Sequence, residues 1–514
     1  MVAAAKEQGT LIPPEPRSTL GALAQELGAG WANGLSSDQA AAPVFGVSAD
    51  TRTLQPGELF VAVPGDKVDG ADFVERAVEL GCSAVVVESA DVHAGGCVPV
   101  LHTDDARLAL SRLSAAYWGR PSRELKVVGI TGTDGKTTTT YMTSAVLGAA
   151  GGATGFISTT GVKIGAQWSP NAVHITTPFP PDLHRALRAM VDAGIEFAVV
   201  ESSSHGLRLA RLADVEYDVA VLTNVTSEHL ELHGTLEQYR LDKAKLFAML
   251  GRSVEKGVGK TGVVNADDPH ADLYLRATAG RTLTYGTYRH ADVVAERVVQ
   301  SADGLRFNVS YDGSDPAPAT LTMLGPFNVY NALAALCAGL ALGVPLADGL
   351  DALARFEGVP GRMQRVDEGQ PFGVVVDYTH TAKSLEAALR TLRPLTLGRL
   401  IVVFGSAGER DTAKRPEMGR VAAVHADELF LTNEDPRGED ERQILREIAA
   451  GAQLNRTPTL IPSRREAIYE AFRSAVPGDM ILLAGKGHES SIEFSDHTEP
   501  WNEVEVAREL LRLL

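Results

Sequence analysis

The sequence predicts an α/β protein of three domains: a small N-terminal α/β domain, a central parallel-sheet ATPase domain of P-loop type, and a C-terminal Rossmann-like α/β domain. Three observations predict it. At 514 residues the chain is too long for one hydrophobic core and suggests roughly three or four units of ordinary size. Buried-type strand runs recur at helix-length spacing and end in polar residues, the pattern of parallel sheets whose ligands lie beyond the carboxyl ends of the strands. One such strand, Val127-Val128-Gly129-Ile130, breaks into the glycine-rich Thr131-Gly132-Thr133-Asp134-Gly135-Lys136-Thr137-Thr138 and then enters a helix-compatible segment.

Taken in order, residues 1–17, with Pro13, Pro14 and Pro16, read as a flexible leader without a charged-then-apolar signal pattern. A first domain over 18–122 carries short apolar runs between turns, at Leu59-Phe60-Val61-Ala62-Val63 and Ala84-Val85-Val86-Val87. The second, over 123–356, repeats strands at Phe197–Glu201, Val219–Thr223 and Gly262–Asn265. A third cycle, 357–514, opens after Gly358-Val359-Pro360-Gly361 with strands at Val374–Asp377, Leu400–Phe404, Leu429–Thr432 and Met480–Ala484. Two sheet domains with chemistry on facing rims suggest substrates held in a cleft between domains.

Composition narrows the function. A net charge of −17 with no basic patch argues against a nucleic-acid partner. No run approaches the ~18 apolar residues of a membrane span. Cys82, Cys97 and Cys337 are too few and scattered for a disulfide framework or zinc site; they read as packing residues in a reducing cytoplasm. The expected partners are small molecules, and the expected state is a monomer.

The glycine-rich loop is how a chain holds a nucleotide triphosphate. Gly132 and Gly135 let backbone N–H groups turn toward phosphate oxygens, Lys136 adds a mobile charge, and the Thr137 hydroxyl can ligate Mg²⁺ at a positive helix N-terminus. The spacing misses the strict motif, since Ile130 stands where the first glycine belongs, so the loop is a variant P-loop. Glu201-Ser202-Ser203-Ser204-His205 follows one predicted strand, and Thr223-Asn224 with Glu228-His229 follows the next. Carboxylate, imidazole and hydroxyl groups at adjacent strand ends suit Mg²⁺ bound with phosphates. Singly, His205, His229 and His233 read equally well as hydrogen-bonded histidines. Tyr239–Phe247 reads as a helix whose lysines are, by composition alone, solvated face charges.

These motifs, in this order, resemble the Mur ligases of peptidoglycan synthesis, and most closely the branch that adds the third residue to UDP-N-acetylmuramoyl-L-alanyl-D-glutamate. The resemblance covers about Ser48 to Arg508. Family members usually carry Asn where this chain has Asp134. The resemblance implies that Gly132, Thr133, Asp134, Gly135, Lys136, Thr137, Thr138, Asn331, Arg362, Asp377 and His380 bind ATP. It implies a metal site of Thr137, Glu201, His229 and a carbamylated Lys243, with Lys136, Lys243 and His229 catalytic. Carbamylation makes physical sense, because CO₂ turns a cation that would repel Mg²⁺ into an anion that holds it.

By the same resemblance the 18–122 domain binds the UDP part of the substrate through Thr51, which replaces a more usual serine, and Arg52. Thr176, Thr177, Ser203 and Arg211 contact the muramoyl-dipeptide. The C-terminal domain binds the incoming amino acid through Arg410, Asp435, Arg437, Gly485 and Glu489. ATP and Mg²⁺ are the implied cofactors. The implied reaction is an ATP-dependent amide ligation through an acyl phosphate, needing no side-chain nucleophile. Alternatives are a folylpolyglutamate-synthetase-type ligase and a non-ligating nucleotide switch. Diaminopimelate is expected as the added residue, with lysine or ornithine next, because Arg437 offers a planar fork for a distal carboxylate and Asp435 a partner for an ammonium.

Overall fold

In the computed structural model the described residues are 15–28, 35–65, 68–89, 91, 94–171, 175–226, 230–288, 290–452 and 457–514. They form two compact units. One takes the described residues up to Val294 with Leu333–Gly349, the other Ala295–Ala332 with Leu350–Leu514.

Among the described residues the first unit holds a two-stranded pair, Ser18–Thr19 with Pro43–Val44, and two larger sheets. Val47–Ser48, Leu59–Val61, Ala84–Val87 and Val100–His102 pair in that order, all parallel. The helix Ala106–Tyr117, capped by Asp105, buries Ala109, Leu110 and Leu113 in the core they share. The strands of the larger sheet that lie in this unit run Gln167–Pro170, Gly161–Ile164, Thr154–Ile157, Phe197–Glu201, Lys126–Thr131, Val219–Leu222, Thr261–Asn265, Arg281–Gly286. The last six of these strands are parallel. Phe197–Glu201 and Val219–Leu222 are buried throughout, as their unbroken apolar runs require of a strand covered on both faces. The Lys126–Thr131 strand lies between Phe197–Glu201 and Val219–Leu222, where the strand order reverses; a loop at its carboxyl end sits in the crevice that α/β sheets use for ligands.

Two helices carry site residues. Lys136–Ala149 has four consecutive threonines after Lys136, weak helix formers that are all buried, so packing rather than propensity sets this helix. Leu236–Met249 is capped by the Thr235 side chain on the Gln238 amide and buries Tyr239, Asp242, Lys243, Leu246 and Phe247.

In the second unit the main sheet runs Gln364–Arg365, Gly373–Asp377, Met480–Ala484, Leu400–Phe404, Glu428–Leu431, Thr459–Leu460, parallel except at its first pair. Helices on its faces close two cores, one around Leu389, Phe404, Met418 and Ile448, the other around Val376, Val403, Ile468 and Phe472.

Every strand named from the sequence is present. Antiparallel additions were not expected: Gly161–Ile164 with Gln167–Pro170, and Gly304–Tyr311 with Ala317–Leu321. Cys82 and Cys337 are buried packing residues, but Cys97 is exposed, which corrects its assignment to the core. Residues 1–14 of the proposed leader lie outside the described residues; Arg17, at its end, stacks its guanidinium 4.6 Å from the Trp118 ring centroid.

Candidate functional site

The glycine-rich loop turns as its sequence requires. Gly132 has φ 153°, and a Cβ there would lie 1.8 Å from Thr223 Oγ1; Gly135, at φ 81°, caps the Lys136–Ala149 helix without any side-chain hydrogen bond. Asn224 cradles the loop. Its carbonyl accepts from the Thr133 amide at 2.8 Å, its Oδ1 from the Asp134 amide at 3.1 Å, and its Nδ2 donates to the Asp134 carbonyl at 3.0 Å. Asp134 therefore serves through its backbone. Those two amides are occupied, and the anion-facing donors are the first-turn amides of a helix with no side-chain cap.

Two lysines converge on this loop. Lys136 Nζ donates to the carbonyls of Gly132 and Thr133, at 3.1 and 2.7 Å, and Lys243 Nζ donates to the same Gly132 carbonyl at 2.7 Å. Lys243 is buried, with its ammonium 4.3 Å from the Tyr239 ring centroid, and Tyr239 in turn bonds Thr133 Oγ1 through its hydroxyl. The solvated-face reading of this lysine is thereby overturned. Lys245, one turn edge away, is half exposed.

Glu201 pairs in register with Ile130 of the loop-bearing strand and is fully buried. Its Oε2 accepts from the Thr159 hydroxyl at 2.8 Å, while Oε1 has no hydrogen-bond partner. A buried carboxylate oxygen left bare is costly unless something binds it. Thr177 Oγ1 meets the Glu201 carbonyl and the Ser203 hydroxyl, each at 2.9 Å. The Thr176 hydroxyl meets that of Thr159 at 3.1 Å, and Arg211 reaches the Thr177 carbonyl at 2.9 Å while lying over Phe179. So Thr176, Thr177, Glu201, Ser203 and Arg211 form one wall. Burial leaves Arg211 Nε unpartnered and lowers the pKa of its guanidinium.

His229 lies outside the described residues. His233, buried, bonds Asp242 through Nδ1 at 2.8 Å, and its ring meets His205 and Tyr239 edge-on. Desolvation lowers its pKa, which favours the neutral ring. Arg107, Arg208, Leu209, Leu232, Gln238, Asp242 and Lys245 line a cavity of about 530 Å³. Three cations there face one buried carboxylate, so the cavity is basic in an otherwise acidic protein. Arg107 also donates to the Pro64 carbonyl, tying it to the loop in which Asp66 and Lys67 are not described. In that first sheet domain Thr51 is half-buried, and Arg52 is exposed and bonded to Asp50, which holds the Asp50 carboxyl below its usual range.

In the second unit, Asp377 is spent on structure: its oxygens accept from the amides of Met363 and Thr379 and from the Thr379 hydroxyl. Arg362 lies 4.7 Å over the Tyr378 ring with its Nε buried and unpartnered. His380 bonds the Tyr378 carbonyl through Nδ1 at 2.8 Å, and burial lowers its pKa. Asn331 donates to Asn328 at 2.9 Å. For the amino-acid set, Lys486 Nζ joins Asp435 at 2.8 Å and Glu489 at 2.6 Å, Tyr378 donates to Glu489, and Gly485 at φ 109° lies against Glu434. Arg410 is exposed. Arg437, at φ 52°, donates from Nε to Glu493 at 2.9 Å and from Nη1 to the Gly408 carbonyl at 3.2 Å.

An anion and a hard divalent cation fit the first unit's site. The uncapped helix start and two ammoniums suit phosphates, and the bare Glu201 oxygen with the buried Thr137 hydroxyl suits Mg²⁺, which takes only one or two protein ligands. Sequence reasoning missed Asn224 as the loop's cradle and the cations Arg107 and Arg208. The Asn directly after a strand end was a usable signal; the two arginines, 101 positions apart in the sequence, gave none.

Comparison with known proteins bears on these arrangements together. Three family models match in order: the Mur ligase family catalytic domain over residues 43–118, the Mur ligase middle domain over 130–339, and the Mur ligase glutamate ligase domain over 361–487. A UDP-N-acetylmuramyl-tripeptide synthetase of Roseiflexus sp. (strain RS-1) is 48% identical, covering 91% of this chain and 94% of its own. A UDP-N-acetylmuramoyl-L-alanyl-D-glutamate--2,6-diaminopimelate ligase of Geobacillus thermodenitrificans (strain NG80-2) is 43% identical, covering 90% and 94%. A solved structure of a diaminopimelate ligase of that type superposes with TM-score 0.64 at 31% identity, over 92% of this chain and 95% of that one.

Proposed function

The chain belongs to the Mur ligase family, and on that premise we propose that it is an ATP-dependent amide ligase of peptidoglycan synthesis, joining a diamino acid to UDP-N-acetylmuramoyl-L-alanyl-D-glutamate. The observation that carries the reading is the meeting of Lys136 and Lys243 on one carbonyl, at the foot of an uncapped helix. Two ammoniums on one acceptor repel, and that repulsion is relieved when an anion sits at Lys136 and Lys243 is converted to a carbamate.

The chemistry follows from positioning and electrostatics. The D-glutamyl carboxylate, held at the wall of Thr176, Thr177, Ser203 and Arg211, attacks the γ-phosphate of ATP and releases ADP. The first-turn amides after Gly135 and the Lys136 ammonium neutralise charge that builds on the transferring group, with Gly132, Thr133, Asp134, Thr137 and Thr138 shaping the loop. Asn331, Arg362 and His380 serve the nucleotide as well, and Asp377 supports them by holding the Met363 and Thr379 amides. The amine of the incoming residue then attacks the acyl phosphate and expels phosphate. Thr137, Glu201, His229 and a carbamylated Lys243 would hold Mg²⁺, which when bound neutralises phosphate charge. Thr51 and Arg52 take the UDP end, and the basic cavity of Arg107, Arg208 and Lys245 suits an anionic substrate. Arg410, Asp435, Arg437, Gly485 and Glu489 take the amino acid.

Small-molecule substrates and a cytoplasmic setting go with this reading; no helix among the described residues is long and apolar enough to cross a membrane. Phosphate release from ATP tests it. Release is expected only when both the UDP-muramoyl-dipeptide and an amino acid are present, and release from ATP alone contradicts the reading.

A further inference from the structure

We propose that Glu493 selects the added residue, favouring a side chain that ends in an ammonium without a carboxylate, as in lysine or ornithine, over diaminopimelate. The inference rests on the ligase reading and deepens it. The case for diaminopimelate needs Arg437 to offer a two-pronged fork to the distal carboxylate, and the geometry takes one away. A guanidinium has two such forks, Nε with Nη2 and Nη1 with Nη2. Glu493 takes Nε at 2.9 Å, which removes the Nε–Nη2 fork, and the Gly408 carbonyl occupies one of the two Nη1 hydrogens at 3.2 Å.

Glu493 is held there by its backbone. Its amide donates to Asp435 Oδ1 at 3.0 Å, its carbonyl accepts from the Arg437 amide at 3.0 Å, and Arg437 bridges Phe494 in parallel register. The carboxylate is therefore built into the loop that carries Asp435 and Arg437. A distal carboxylate arriving at Arg437 would find the Nε–Nη2 fork taken and meet the Glu493 charge.

The surroundings favour a cation. Asp435 and Glu489 share Lys486, and Arg464 is consumed by Glu503 with a 2.5 Å contact. Lys414 donates to the His380 carbonyl. Glu434 is buried, with Oε2 lacking any hydrogen bond and only 3.0 Å from where a Cβ on Gly485 would sit. An ammonium satisfies such an oxygen, whereas a second carboxylate does not.

The test is a competition in which lysine, ornithine and meso-diaminopimelate are offered at equal concentration with UDP-muramoyl-dipeptide and ATP, and the tripeptide products are weighed by mass spectrometry. Wild type is expected to give the lysine or ornithine product in at least about tenfold excess. Glu493→Ala, which frees a fork of Arg437, is expected to move the ratio toward diaminopimelate by about tenfold or more. If that variant does not fold, Glu493→Gln removes the charge with the shape retained and is expected to move the ratio in the same direction. A wild-type preference for diaminopimelate, or a ratio that a folded variant leaves unmoved, overturns the proposal. Absence of any tripeptide from all three amino acids defeats the ligase reading itself, and the missing product tells the two failures apart.

Discussion

Lys136 and Lys243 share the Gly132 carbonyl, yet their environments differ, and so do the expected effects of removing them. Lys136 is partly exposed at the helix start and contributes little packing. Lys136→Ala should lower kcat/KM by on the order of 10³-fold with little change in melting temperature, since it removes charge aimed at the transferring phosphate; turnover near wild type would remove the lysine from the mechanism. Lys243 is buried under the loop, where an unmodified ammonium would oppose any cation. Lys243→Ala should be nearly inactive and partly rescued by short carboxylic acids that occupy the vacated space. An intact-mass measurement finding only unmodified lysine in active enzyme would count against the carbamate. Gly132 permits neither a side chain nor an ordinary φ, so Gly132→Ala should displace Thr223 and abolish nucleotide binding; unchanged ATP affinity by calorimetry would show that the loop tolerates the shift.

At the scale of elements, the helix Pro180–Asp192 carries a pH liability. His184 is fully buried on it with both ring nitrogens unpartnered, and burial pushes its pKa down from 6.5 to about 3. The unfolded chain binds this proton below pH 6.5 and the folded chain does not until about pH 3. Stability is therefore full above pH 6.5 and is lost as pH falls between those values, by about 1.4 kcal/mol per pH unit for this one group. His184→Leu should flatten the acid limb of stability measured by urea unfolding at pH 7.5 and 5, and identical limbs in both proteins would refute the assignment. Elements also differ in how legible they were. Phe197–Glu201 and Leu400–Phe404 are buried on both faces and read directly as apolar runs. Gln167–Pro170 has no buried residue, so no hydrophobic period marks it as a strand, and its pairing with Gly161–Ile164 comes from tertiary context.

Over the whole molecule, the loop's chemistry and the order of domains were readable because each motif is contiguous: Gly132 to Thr138 carries strand end, turn and helix start within a few residues. What was not readable are pairings between distant positions. Glu493 faces Arg437 across 56 residues, and Arg107 lines a cavity with Arg208 from another sheet domain. No local pattern announces such a meeting, and the ranking of diaminopimelate first weighed Arg437 without the Glu493 carboxylate that binds its Nε. The motif proposes where the amino acid binds, and its neighbours decide the charge presented there.

The central claim is that this chain forms an amide bond on UDP-N-acetylmuramoyl-L-alanyl-D-glutamate at the expense of ATP. The most direct measurement is mass spectrometry of that acceptor after incubation with the protein, ATP, Mg²⁺ and a diamino acid. The account predicts that the acceptor gains the mass of the amino acid less one water, with one ADP formed per product and a gain on the order of 10³-fold slower with Lys136→Ala. An acceptor of unchanged mass while ATP is consumed would contradict it.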